Sequence, residues 1–363
     1  MTNFLVSNYS ILSAPRNAVS KIQQELVIMQ KQATTGRLAD VGLTLGLRTS
    51  QSISLRSENE SATRQLDTNA IISQRFSIMQ NAMDSLAATG GSLLSSLIAN
   101  GSSDPGTTAN IDQARASLQQ FVGALNSSAG ARFLFSGTAT DKPAIGFATA
   151  SGGTAGTYFE GSKAQDATAA AFTAAFGIGQ SDPAVADISA SDLEAFLDGA
   201  FDDLFSTSPT GPNGGWKDNW SNAGEGTTVN RISDSESIKT SYSSDEEAFR
   251  NIAKAYVMLS DLGNANMNES ARQLLTSRAI ETLSKGLSQI TELQAEIGGS
   301  QQRLDIANET LDARKNVLTI SISNLEEVDQ YEASTRVTGL QTLLETSYAL
   351  TARISRLSLL NYL

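Results

Sequence analysis

The 363-residue sequence contains no cysteine and no histidine. Disulfide frameworks, thiolate zinc sites, cysteine nucleophiles and catalytic arrangements built on Ser/His or Cys/His pairs are therefore excluded. Positive charge is also scarce, because 26 Lys and Arg face 38 Asp and Glu and leave a formal net charge of −12. Nucleic-acid binding needs clustered Lys and Arg, so this balance argues against it. We expect no enzymatic activity, no cofactor, no metal and no nucleic-acid partner.

Long apolar runs are missing as well. No window of 18 or more consecutive apolar residues occurs, so we expect no membrane insertion. The first residues have no basic stretch followed by an apolar core, so we expect no cleaved signal peptide. Apolar residues nevertheless make up 40% of the chain, which is enough to build a core, and the length allows two or three domains.

A helical pattern is present at both ends of the chain. It predicts a first helix over about 12–33, ended by Gly36, and a last helix over about 334–360. The apolar stripe of the first helix consists of Val19, Ile22, Leu26 and Met29. The stripe of the last helix consists of Leu340, Leu343, Leu350, Ile354 and Leu357.

Two longer helices with coiled-coil periodicity lie between these ends. A helix over about 51–99 has a seam with steps of three and four residues, and a helix over about 268–325 has an apolar residue at every seventh position. The first seam comprises Ile72, Phe76, Met79, Met83 and Leu86. The second comprises Leu283, Ile290, Ile297, Leu304, Leu311, Leu318 and Leu325. These residues are predicted to form a bundle core, together with a shorter helix over about 105–128.

The middle of the chain follows another pattern. A strand and turn are predicted from Arg132 onward, and residues 146–228 are rich in Gly, Ala, Ser and Thr, with one amphipathic helix over 191–205. Strand-like segments follow near 227–232 and 237–242, and Ser244 with Glu247 has the spacing of a helix capping box. The predicted fold class is mainly α, a long antiparallel helical bundle or coiled coil of N- and C-terminal segments with a small mixed α/β insert.

This organisation predicts three domains. Residues 1–40 with 326–363 would form a terminal coiled coil, 41–145 with 229–325 a helical bundle with a β-hairpin, and 146–228 an inserted domain. Two lone helices have little core between them, so we expect both terminal stripes to be buried against other subunits. Such contacts are heterologous, since they join different surfaces of neighbouring subunits, and heterologous contacts generate rings or helical filaments.

Two features of the insert have a functional and a structural interpretation. The carboxylates of Glu194, Asp198, Asp202 and Asp203 could form a metal or acid–base site, but a solvated helix face is favoured. Trp216 and Trp220 could stack on a carbohydrate, but a place in the core of the insert is favoured.

Several segments resemble the flagellin-like family of axial proteins. The connector QKQATTGRL at 30–38 is similar to the element that follows the first helix in that family, and SNLEEVD at 323–329 is similar to its acidic break between the last two helices. The segment GARFLFSGTATDKPA at 130–144, with GTYFEG at 156–161, resembles hook–filament junction members of the hook-associated protein 3 (FlgL) type. Residues 39–43 depart from the family pattern, and residues 146–228 are largely unmatched.

The resemblance implies a structural subunit of the bacterial flagellum, acting as adaptor at the hook–filament junction. It implies self-assembly, the other junction protein (FlgK) on the hook side and flagellin on the filament side. It also implies export in unfolded form by the flagellar type III system, a cytoplasmic chaperone and an extracellular location. Two alternatives stay open, a filament-forming flagellin and a surface polysaccharide-binding flagellin homologue.

Overall fold

The computed structural model describes residues 8–101, 104–149, 152–154 and 156–360, with the backbone alone at 8–13, 104–105 and 354–360. The described chain is mainly α-helical, which confirms the predicted fold class. The helices are α1 (Asn8–Thr35), α2 (Val41–Leu45), α3 (Thr49–Asn100), α4 (Asp104–Leu125), α5 (Lys163–Phe176), α6 (Ala190–Phe196), α7 (Trp216–Asn219), α8 (Glu247–Asp261), α9 (Glu269–Glu326) and α10 (Gln330–Leu360). Within the described ranges, no helix combines the length and apolar content that crossing a bilayer requires.

Two short antiparallel strand pairs accompany the helices. Strand β1 (Ser128–Ala129) pairs with β2 (Arg132–Phe133), and β3 (Val229–Arg231) pairs with β4 (Ser237–Lys239). Gly130 lies in the turn between β1 and β2 with φ +64°, a left-handed conformation that glycine adopts without a steric penalty.

The chain divides into two compact units. One comprises Met1–Arg64 and Thr310–Leu363, and the other comprises Gln65–Glu309. The second unit contains the whole segment 146–228, whose apolar residues share one buried cluster with those of α3, α4, α8 and α9. The division into three domains stays a prediction.

In the first unit, helices α1 and α10 pack against each other. The more buried positions of each helix recur at alternating steps of three and four residues, which is the spacing of a two-stranded coiled coil. In α1 these positions are Val19, Ile22, Leu26, Met29 and Ala33, and Gln32 beside Ala33 is buried as well. In α10 they are Ala333, Val337, Leu340, Leu344 and Ser347.

In the second unit, α3 and α9 run antiparallel. The Gln80 Nε2 atom donates to the carbonyl oxygen of Gln294 at 2.9 Å, and further along α3 the backbone of Gly90 lies against Leu287, earlier in α9. Helices α4 and α8 contact each other, with the rings of Phe121 and Tyr256 edge to face at 6.3 Å. Burial of apolar side chains is the main favourable contribution to such a core.

The residues predicted for the bundle core are almost all buried. The fully or nearly fully buried ones are Ile72, Phe76, Met79, Met83, Leu86, Leu283, Ile290, Ile297, Leu304, Leu311 and Leu318. Leu325, the last position of the heptad series, is only half-buried. The heptad pattern therefore identified the core-facing edge of both long helices, except at the C-terminal end of α9.

Two local predictions were wrong, and the short helix α2 was not predicted. Helix α8 begins at Glu247, and the Ser244 side chain is instead buried, with its hydroxyl 3.0 Å from that of Ser221. Residues 37–50 contain the short helix α2, capped by Asp40, whose carboxylate accepts from the Leu43 amide. The helix predicted over 191–205 is interrupted, because α6 ends at Phe196 and a π-helical turn follows.

Candidate assembly interface

The coiled coil of α1 and α10 has an inner face and an outer face. The stripe predicted on α1 lies on the inner face, where Ile22 is buried and its neighbours are half-buried against α10. Leu340 of the last helix also lies on this inner face. In the first unit, the predicted α1 stripe thus faces a helix of the same chain.

The outer face of α10 carries two exposed leucines among polar side chains. The Leu343 and Leu350 side chains, seven residues apart on the same side of the helix, are 50% and 58% exposed. On α1, Val27 and Ile28 are exposed as well. Burying a leucine side chain contributes about 1.5–3 kcal/mol, so this face would gain stability from a further covering surface.

The sequence pattern placed Leu340, Leu343 and Leu350 on one stripe, whereas the structure separates them. The inner positions of α10 include Val337 and Leu344, which the sequence reading did not select. Ala333, Val337, Leu340 and Leu344 follow one another at steps of four, three and four residues, and this spacing could have identified the inner face. Ile354 and Leu357 of the predicted stripe lie outside the described side chains.

Two backbone hydrogen bonds join the segment that follows α1 to the segment that follows α9. The Leu38 amide donates to the carbonyl oxygen of Glu326 at 2.8 Å, and the Val328 amide donates to that of Gly36 at 2.9 Å. Gly36 has φ +66°, and a Cβ atom there would lie 2.9 Å from the Gln330 side chain. The end of α1 is therefore fixed beside the start of α10, which positions the two helices for pairing.

The carboxylate of Glu326, whose backbone carbonyl accepts one of these hydrogen bonds, is buried. Its Oε1 atom accepts from the Arg56 Nε at 2.8 Å and also from the Ser52 hydroxyl, and its Oε2 atom accepts from the Arg56 guanidinium. The hydrogen bonds from Arg56 hold the pKa of the Glu326 carboxyl below its usual range, against the opposing effect of burial. The end of α9 is thus tied electrostatically to the start of α3 within this unit.

The segment 130–144 is built into the second unit. Leu134, Phe135 and Ala144 are buried, and the rings of Phe135 and Phe249 pack edge to face at 5.5 Å. Ser136 forms an isolated β-bridge with Ser243 and Gly137 forms one with Gly224, so backbone pairing fixes the loop on two sides.

The carboxylates singled out in the insert have structural partners. Glu194 and Asp198 accept from the Arg278 guanidinium at 2.8 and 2.9 Å, and Asp202 pairs with Lys254. Asp203 accepts from the amide of Thr210 at 2.8 Å. In the part of the chain that the structure describes, no group of three acidic side chains is arranged to hold a metal ion.

Both tryptophans are in the core. The Trp216 and Trp220 rings stack at a centroid distance of 5.2 Å with 9° between their planes, and both side chains are buried. The Trp216 Nε1 atom donates to the Asp245 carboxylate at 3.1 Å. The favoured structural interpretation is correct, and neither ring offers a face for carbohydrate stacking.

Comparison with known families identifies the family of both ends of the chain. Residues 6–140 match the bacterial flagellin N-terminal helical region, and residues 278–363 match the bacterial flagellin C-terminal helical region. The two matched regions together cover more than half of the sequence. The chain belongs to the flagellin-like family. The flagellin family is structural rather than enzymatic, which fits the expectation that no reaction is catalysed.

One solved structure supports the fold of this flagellin-like protein. It is described as a flagellar hook-associated protein from Vibrio parahaemolyticus, with a TM-score of 0.50 and 11% sequence identity. The match covers 77% of this chain and 97% of that one. A search of curated protein sequences gives no significant match. The family assignment makes the chain a structural subunit of the flagellum, an extracellular assembly of exported, self-associating proteins.

Proposed function

We propose that this flagellin-like protein is an adaptor subunit at the hook–filament junction, of the FlgL type. The observation that carries the proposal is the segment 130–144, which resembles junction proteins and which the fold holds through Phe135 and two backbone bridges. The structural similarity to a protein described as flagellar and hook-associated supports the same choice.

The partners follow from the same proposal. The chain would self-assemble and would meet FlgK on the hook side and flagellin on the filament side. The interface would include the outer residues Leu343 and Leu350 and, beyond the described side chains, Ile354 and Leu357. The predicted inner residues Val19, Ile22, Leu26, Met29 and Leu340 would take part by holding α1 and α10 together.

Export would precede assembly. We propose passage in unfolded form through the flagellar type III system, with a cytoplasmic chaperone covering the C-terminal helix. The exposed Leu343 and Leu350 support this, because they would otherwise meet water before assembly. Residues 1–40 with 326–363 would form the assembling domain, 41–145 with 229–325 the bundle, and 146–228 an outer domain.

Deletion of the gene tests the adaptor role. We expect cells with hooks but no attached filaments, flagellin released into the medium, and recovery when the intact gene is returned. Electron microscopy of the cells and immunoblots of the medium measure these effects. Filaments of normal length on the deletion strain would contradict the proposal, and purified chain that polymerises alone into long filaments would favour a flagellin instead.

A further inference from the structure

The negative charge of the chain is concentrated in one segment. Residues 146–228 contain eleven Asp and Glu but only two basic residues, Lys163 and Lys217. This segment alone therefore accounts for a net charge of −9 of the total of −12. A surface with so uneven a balance attracts cations over a distance of about 10 Å at ordinary ionic strength.

A groove with apolar and polar lining lies within the same segment, between the end of α5 and helix α6. It has a volume of about 670 Å³, and its apolar lining includes Phe176, Ile178, Ile188 and Phe196. Ile188 and Phe196 are buried beneath it, whereas Phe176 and Ile178 are half-buried at its sides. This volume is within the range of about 300–1,000 Å³ that is typical of ligand-binding sites.

Small side chains keep the groove open. Ala195 and Ala200 line it and are exposed, so neither side chain fills the space above the phenylalanine rings. The Phe176 and Phe196 rings contact each other at 5.3 Å, which gives the groove a firm aromatic wall. The groove is therefore open to solvent above the two phenylalanine rings.

The carboxylates at this groove differ from those elsewhere in the segment. Asp187 and Asp192 line it and are exposed, and no ion pair to either is found in the described ranges of the chain. By contrast, Glu194 and Asp198 both form ion pairs with Arg278. The Asp192 carboxylate accepts from the Ser189 hydroxyl at 2.6 Å. An apolar floor thus lies beside two carboxylates for which the described ranges of the chain show no ion pair.

We propose that this groove binds a cationic amphipathic segment of another protein. One or two large apolar side chains of that segment would enter the groove over Phe176 and Phe196, and Lys or Arg beside them would pair with Asp187 and Asp192. Helices bind grooves in this way through apolar residues on one face, and charge complementarity adds specificity and speeds association. The proposal does not depend on the position of the subunit within the flagellum.

Titration with synthetic peptides tests the proposal on the full-length chain. The probe is a fluorescent amphipathic peptide of leucine and lysine, about 14 residues or four helical turns long, and its partner control replaces lysine with glutamate. Fluorescence anisotropy should show saturable binding of one lysine peptide per chain. The glutamate peptide should bind at least about tenfold more weakly.

Variants locate the binding site. Asp187→Asn with Asp192→Asn, which removes charge only, should weaken binding of the lysine peptide about fivefold or more. Ala195→Trp, which fills the groove from an exposed position, should abolish it. The matched controls are Asp112→Asn with Asp141→Asn and Ala170→Trp, which alter exposed residues that do not line the groove. Circular dichroism should show unchanged helicity in all of these variants.

Several results would overturn the proposal. One is equal weakening by the control carboxylate pair, which would indicate attraction to the overall charge. Another is full binding to Ala195→Trp, which would place the peptide elsewhere, and a third is equal binding of the glutamate peptide. Sedimentation of the chain as a dimer whose formation Ala195→Trp prevents would assign the groove to a second copy instead.

Discussion

The side chains of Asn69 and Asn308 form a hydrogen bond at 2.7 Å between α3 and α9 in the second unit. Asn69 is fully buried, and its Nδ2 atom donates both to the Asn308 Oδ1 atom and to the carbonyl oxygen of Ile232 at 2.9 Å. Its Oδ1 atom accepts from Gln65 at 3.0 Å, so the whole amide is satisfied. A buried polar residue in a helical seam can specify which positions pair.

Removal of this amide should destabilise the second unit. Asn69→Ala leaves the Ile232 carbonyl and the Asn308 amide without a partner, and we expect the free energy of unfolding to fall by about 1–3 kcal/mol. Urea unfolding followed by tryptophan fluorescence measures this change. Asn308→Ala should cost less, because Asn308 is half-buried, and the double variant should show coupling of about 0.5 kcal/mol or more. Additive effects would mean that the two amides do not interact.

Glu326→Gln should destabilise the first unit. It removes the charge that Arg56 and Ser52 bind, at a side chain that is 1% exposed, and we expect a loss of about 1–3 kcal/mol. The folded pKa of this carboxyl is lowered, so its contribution is present above the unfolded pKa, near 4.5, and is lost as the pH falls below that value. Circular dichroism of thermal unfolding between about pH 3 and 7 measures both effects.

Glu327→Gln is the matched control for this experiment. Glu327 is the next residue and is exposed, and its carboxylate accepts from the Ser323 hydroxyl. We expect a change below about 0.5 kcal/mol and the same acid sensitivity as in the unaltered chain. Equal effects of the two substitutions would show that burial of Glu326 is not the reason for its contribution.

Asp261 should make the second unit less stable as the pH rises. Burial raises the pKa of its carboxyl to about 6, although Tyr158 and Gln165 donate to it and Arg115 lies nearby. The Tyr158 hydroxyl donates to its Oδ2 atom at 2.9 Å. Because the folded pKa exceeds the unfolded one, the folded state binds the proton more tightly, and stability declines between about pH 4 and 6.

Asp261→Asn tests this dependence. At pH 7.5 we expect the variant to be more stable than the unaltered chain by about 1–3 kcal/mol, and near pH 4 the two should be similar. Denaturant unfolding at a series of pH values gives the comparison. Asp112→Asn, at an exposed position of α4, should leave the profile unchanged. A loss of stability in Asp261→Asn at pH 7.5 would contradict the assignment.

Gly286 should not tolerate a side chain. A Cβ atom there would lie 2.8 Å from the Ile252 Cγ1 and 3.2 Å from the carbonyl oxygen of Ala248, where α9 crosses α8. We expect Gly286→Ala to cost about 1–3 kcal/mol through overpacking. Gly91→Ala, at a helical position with nothing within 4 Å, should instead stabilise by about 0.5–1 kcal/mol. Thermal unfolding of both variants measures the difference, and stabilisation by both would show that the crossing can relax.

The outer face of α10 should matter for assembly and not for folding of the chain. Leu343→Lys with Leu350→Lys places charge on two exposed leucines, so the helicity of purified protein should be unchanged. We expect loss of filament attachment when the deletion strain carries this variant, because charged groups cannot be buried there without a partner. The control, Thr342→Lys with Ala349→Lys, alters exposed positions that are not large and apolar. Equal loss with the control would reject a specific role of the leucines.

The sequence predicts the long helices well, because their periodicity is local. The seven-residue spacing from Leu283 to Leu325 predicted α9 to within about one residue at each end. The inner face of α10 was harder, since Leu343 and Leu344 are adjacent and both satisfy a three- and four-residue pattern. Only contact with α1 selects Leu344 for the inside.

The segment 146–228 depends on contacts that are distant in sequence. Tyr158 reaches Asp261, and Arg278 reaches Asp198, across separations that no local pattern reports. Ser244 shows the same effect on a smaller scale, since its hydroxyl contacts Ser221 and so does not cap α8. The groove between α5 and α6 could not be predicted from the sequence. The excess of acidic over basic residues in 146–228 indicated only that this segment is negatively charged.

The stacked tryptophans give one of the two units an optical signal of its own. Trp216 and Trp220 are the two tryptophans of the sequence, and both belong to the unit Gln65–Glu309. Indole emission therefore follows the melting of that unit alone, whereas far-ultraviolet dichroism follows the helices of both. A difference between the two melting curves would measure, without any label, how independently the terminal coiled coil comes apart.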